Sequence, residues 1–116
     1  MKTSELTGPA LDWAVAKCRD VEVEYINDGI TRCLLMVAPF TGIYAPSTNW
    51  AQGGPVIERE RISVVDVDGY DFWKADKLNK EAIPVINYGP TPLIAAMRCY
   101  VASKLGDEVE IPKELK

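Results

Sequence analysis

Catalysis by side chains calls first for histidine, and this chain has none among its 116 residues. Ser-His-Asp and Cys-His nucleophile systems, imidazole acid-base chemistry and His-containing metal sites are thereby excluded. Cys18, Cys33 and Cys99 are odd in number and widely spaced, with no C-x-x-C pair. They read as buried thiols in a reducing compartment, neither a disulfide framework nor a four-ligand zinc site. Glu58 and Glu60 flank Arg59 and precede Arg61. At i and i+2 the two carboxylates share a face only on a strand, and on a helix they stand about 200° apart, so salt-bridging surface charge explains them better than an acid-base pair. Asp66, Asp68 and Asp71 surround Gly69 without the spacing or terminal Glu of an EF-hand loop. Gly53-Gly54 is not followed by Gly-Lys-Ser/Thr, which removes a P-loop. Arg98, in a nearly uncharged stretch, is the remaining polar anchor for a buried carboxylate, backbone carbonyls or a ligand.

Polar variety concentrates instead in residues 38–55, APFTGIYAPSTNWAQGGP, where three prolines and three glycines mix with Phe40, Tyr44 and Trp50. The segment is too long for a simple connection, and its aromatic content argues against disorder. Ser47 or Thr48 is positioned to cap a single helical turn ending at Gly53, with Pro55 opening a second short turn. Two uses are open for it: a packed Ω-loop whose rings pin it over a sheet edge, or a contact surface. In the second case Tyr44, Ser47, Thr48, Asn49, Trp50 and Gln52 supply rings and hydrogen-bonding groups, joined by Arg59 and Arg98.

The surrounding elements are legible in part. Pro9 suits the first position of a helix capped by Thr7 or Gly8 and ending near Cys18 or Asp20, with Leu11, Ala14, Val15 and Cys18 as its buried stripe and Trp13 facing away. Residues 21–26, VEVEYI, alternate as a strand, and Asn27-Asp28-Gly29 turns it into a second strand over 30–37. Another hairpin is expected over 62–75, with Asp68-Gly69 as a two-residue type I′ turn. Thr91, Pro92 and Gly106 bound a helix over 92–105 whose only charges are Arg98 and Lys104. So apolar a helix is buried on more than one side, as the central helix of the domain or as part of a subunit interface; both together, in a homodimer, are expected.

These elements predict an α+β fold: a mainly antiparallel four-stranded sheet of two hairpins, two helices packed on one face, and a long ordered loop. Residues 1–106 form the domain, and the acidic stretch 107–116 is expected to be a solvated extension. With 13 Lys and Arg against 17 Asp and Glu, spread evenly, the net charge is -4. No broad basic field draws in nucleic acid or an anionic membrane. The N-terminus has no apolar signal region and no run of about eighteen apolar residues occurs, so a cytoplasmic protein is expected.

Three segments carry a resemblance: ELTGPALDWAVAKC (5–18), YAPSTNWAQGGPVIERERI (44–62) and YGPTPLIAAMRCYVASKLGDEVEIP (88–112). Together they cover about half of the chain and are similar to the NinX-like family of small proteins of lambdoid phages and prophages. The family's loop reads like SPSTDWAQGGPIIERE, so Asn49 stands where Asp is usual, and residues 62–87 depart most from the pattern. The resemblance implies a bacterial host and an accessory phage role, without an assigned activity, cofactor or catalytic residue. The expected function is therefore contact with a host or phage protein through residues 44–60. A small-molecule or nucleotide binder or enzyme using the same loop with Arg59 and Arg98 is the alternative.

Overall fold

A computed structural model of the protein describes residues 1–37 and 42–116. The described residues form three α-helices and six strands: α1 (Gly8–Arg19), β1 (Val23–Asn27), β2 (Arg32–Met36), β3 (Ile43–Tyr44), α2 (Trp50–Glu60), β4 (Ser63–Asp66), β5 (Trp73–Leu78), β6 (Pro84–Gly89) and α3 (Pro92–Leu105). The strands make two antiparallel three-stranded sheets, β1-β2-β3 and β4-β5-β6. The α+β class is as expected, but one four-stranded sheet with two helices is replaced by two sheets and three helices. The cause is local. Each hairpin completes itself with the next extended segment in the chain, β3 for the first and β6 for the second. β6 opens at Pro84 and carries Asn87 and Gly89 on its inward face, so it lacks the apolar alternation that marks a strand. Proline is tolerated there because β6 is an edge strand.

α3 is the centre of the molecule. Thr91 caps it by accepting a hydrogen bond from the Ile94 N–H at 3.1 Å, and Gly106 ends it with φ 88°. β4, β5 and β6 lie against it, as do α1 and α2. Leu93 through Met97 and Cys99 through Ala102 are buried within the single chain. α1 presents Leu11, Ala14 and Val15, all fully buried, and also reaches β2. Its left-handed cap is Asp20, φ 57°.

The second turn differs from the two-residue type I′ expected at Asp68-Gly69, and the first is longer than its three turn residues. In the first hairpin Asn27 pairs with Arg32, which leaves a four-residue loop whose Ile30 and Thr31 N–H groups donate to Asp28 Oδ1 at 2.9 and 2.6 Å. In the second, Asp66 pairs with Trp73. Tyr70 N–H donates to the Val67 carbonyl at 3.1 Å, and Gly69 alone takes a positive φ of 83°. That is the pattern of a type II turn; type I′ needs two positive φ values.

The stretch 107–116 is not a solvated extension. Thr3 N–H donates to the Asp107 carbonyl and Val109 N–H to the Met1 carbonyl, both at 2.9 Å. Val109 and Ile111 enter the core, whereas Glu108 and Glu110 stay exposed. The period-two alternation E-V-E-I, masked by its charge, holds the chain end against the N-terminus.

Candidate functional site

Of the segment expected as one long loop, residues 42–55 are described, and most of them lie in regular elements. β3 occupies Ile43–Tyr44, a turn follows, and α2 runs unbroken through Gly53, Gly54 and Pro55. Phe40 lies outside the described residues. Asn49, not Ser47 or Thr48, is the cap, its Oδ1 accepting from the Ala51 N–H at 2.9 Å. Two short turns separated at Gly53 are thus corrected to one helix. Pro55 forgoes a single backbone bond near the N-terminal end. Gly53 is required where it stands, because a Cβ there would collide with the Pro46 carbonyl oxygen and Leu93 Cδ2.

Beneath this segment lies a residue that pattern reading passed over. Asp12, in the middle of α1 and 5% exposed, accepts a hydrogen bond from the Ser47 N–H at 2.8 Å. Burial raises its pKa to about 6, against the opposing effect of the Ser47 hydrogen bond. The only available signal was an acidic residue inside the apolar run PALDWAVA. Ser47 is itself buried, and its hydroxyl finds no hydrogen-bond partner among the described residues. Gln52 clamps the turn from the other side: its Oε1 accepts from the Ala45 N–H at 2.6 Å and its Nε2 donates to the Ile43 carbonyl at 2.8 Å. Tyr44 is buried, and its hydroxyl is pushed up to about 12 by that burial.

Of the eight residues expected to form a contact set, Tyr44, Ser47 and Gln52 are therefore spent on holding the segment. Thr48, Asn49, Trp50 and Arg59 are exposed, Trp50 at 57%. Arg59 lies nine residues beyond Trp50, about 180° around the helix at ~100° per residue, and does not share its face. Arg98 is elsewhere again: its Nε donates to the Leu6 carbonyl and its Nη1 to the Tyr88 carbonyl, both at 2.8 Å. The two arginines line separate cavities, of about 10 Å³ for Arg59 and about 350 Å³ for Arg98. Trp13 is partly buried against the core, with Lys17 Nζ 5.6 Å from its ring centroid.

The remaining titratable groups have structural explanations. Glu60 ties α2 to β5 and α3, with Oε1 at 3.1 Å from Lys77 Nζ and 3.6 Å from Lys104 Nζ. Partial burial would raise its pKa, but the two lysines outweigh that and hold it below the usual range. Glu58 is exposed and forms no dyad with it. Burial pushes Cys18 up to about 11 and Cys99 up to about 12, so both thiols stay protonated at neutral pH. Among the described residues no group of three or more Cys, Asp or Glu is placed to hold a metal ion, and no helix is long and apolar enough to cross a membrane.

Fold and site together define a small α+β domain built on a buried apolar helix, with an exposed tryptophan at the start of α2. Residues 2–104 match the family model described as bacteriophage P22 NinX, and the chain belongs to that family. No curated protein matches it.

Proposed function

We propose that this chain is a phage accessory protein that acts inside the bacterial host by binding a host or phage protein through the first turn of α2 and the residues leading into it. One observation carries the proposal: Trp50, 57% exposed, stands on a segment fixed from below by Asp12 and Gln52. A rigidly based tryptophan offers a large contact area with little ordering cost on binding, the usual property of an interface anchor. Thr48 and Asn49 lie beside it in the chain and supply polar groups for a rim. Family membership supports the phage setting.

The test is capture of partners from phage-infected or lysogenic cells on immobilised wild type and Trp50→Ala. The captured protein is then purified and its affinity for each form measured. A hot-spot tryptophan predicts at least about a thirtyfold loss of affinity. Equal affinity for both forms, or no protein retained by wild type, removes this reading.

A further inference from the structure

The side of β6 that does not pair with β5 carries a groove in two adjoining compartments. One, of about 350 Å³, is lined by Phe72, Tyr88, Asp71 and Arg98 among others; the second, of about 200 Å³, by Lys2, Asp107 and Glu108. Ser4 and Asn87 belong to both. Asn87 is only 7% exposed, yet its side-chain amide makes no hydrogen bond with the described residues. The amide is not sealed off from solvent, and it presents both a donor and an acceptor to the groove. Arg98 is held by its two carbonyl bonds, while among the described residues its Nη2 has no partner and no carboxylate lies within ion-pair distance. Phe72 and Tyr88 meet edge to face, centroids 5.6 Å apart at 83°.

These groups restrict the chemistry of an occupant. A simple anion would face Asp71 and a simple cation would face Arg98. An uncharged planar ring bearing both carbonyl or ring-nitrogen acceptors and N–H donors satisfies the guanidinium, the carboxylate and the amide together. Guanine has that combination: its O6 and N7 suit an arginine and its N–H edge suits a carboxylate. Aromatic side chains provide the stacking surface such rings use. In the adjoining compartment Asp107 and Glu108 offer acceptors for sugar hydroxyls, a common use of carboxylates beside nucleosides. We propose that this groove is a nucleoside-binding site, with the base in the Arg98 compartment and the sugar hydroxyls toward Asp107 and Glu108. The site is independent of Trp50 and of the protein-contact proposal.

The test is titration of the full chain with guanosine, adenosine and cytidine, with free phenylalanine as a zwitterion of comparable size, followed by two-dimensional NMR of the amides. Saturable shifts are expected at the Asn87 side-chain amide and the Tyr88 and Gly89 backbone, strongest for guanosine. Tyr88→Ala, at a position 48% exposed, should keep the wild-type melting curve and weaken binding at least about fivefold. Asn87→Leu should weaken it further, and if that variant fails to fold, Tyr88→Ala decides. Trp50→Ala should bind as wild type does. The proposal is overturned by the absence of saturable nucleoside shifts at millimolar concentration, by unchanged affinity in folded Tyr88→Ala, or by phenylalanine occupying the same residues as tightly as guanosine.

Discussion

Asp12 is where a single side chain decides most. Its carboxylate is buried and its pKa is raised to about 6, so the folded protein holds this proton more tightly than the unfolded chain, whose value is the ordinary 3.8. Between those values the native state binds more protons, and stability falls as pH rises through the interval. The contribution is fully present below the unfolded value and is lost above the folded one. A shift of this size corresponds to roughly 3 kcal/mol. Asp12→Asn keeps an acceptor for the Ser47 N–H and removes the charge. Urea denaturation across pH should show the variant gaining stability relative to wild type from about pH 4 to about pH 7. Asp12→Ala, which leaves the Ser47 N–H unpaired, should lose about 1–3 kcal/mol to that effect. Gly53 is the second such position. Gly53→Ala places a methyl group on the Pro46 carbonyl oxygen, which is backbone and cannot step aside. A loss of about 1–3 kcal/mol in the same assay is expected, although alanine is the better helix former. Neither residue was identifiable as essential from its neighbours in sequence, since an acid on a helix is ordinarily exposed and Gly-Gly-Pro ordinarily breaks one.

At the scale of elements, α3 and α2 are opposite cases. α3 was legible to the residue because its signals are local: a capping threonine, a proline in the first turn, a glycine just past the end, and few polar side chains between. α2 was not, because its local signals contradict its structure. Tertiary contacts overrule them: Val56 is buried in the core, Glu60 bridges to Lys77 and Lys104, and Gly53 lets the helix close on Pro46 and Leu93. The C-terminal stretch shows the same conflict. Its charge signals solvent, and its alternation signals a strand-like partner that becomes apparent only once the N-terminus lies beside it. Ile111→Ala should therefore destabilise the protein by about 2–4 kcal/mol, measured by chemical denaturation. A change within about 0.5 kcal/mol, typical of an exposed site, would mean that the stretch is not docked in solution.

For the whole molecule, composition and periodicity were sufficient for the α+β class, the absence of imidazole chemistry, the burial of α3 and both hairpins. The motifs also carried the family, which the match over residues 2–104 establishes. These conclusions depend on residue types and on contacts between near neighbours in the chain. The division into two sheets did not follow from them, because it depends on which distant segment completes each hairpin. Nor did the separation of Arg98 from the 44–60 segment, the capture of the chain end by the N-terminus, or the groove along β6 that brings Ser4, Asn87 and Arg98 together. Each joins residues distant in sequence, and the burial that makes Asp12 chemically unusual exists only after the chain has closed around it. The amino-acid sequence alone determined the absence of imidazole chemistry and the family to which the chain is similar. Only tertiary structure decided which polar groups hold the fold together and which remain free to meet something else, because a hydrogen-bond partner is defined by position in space.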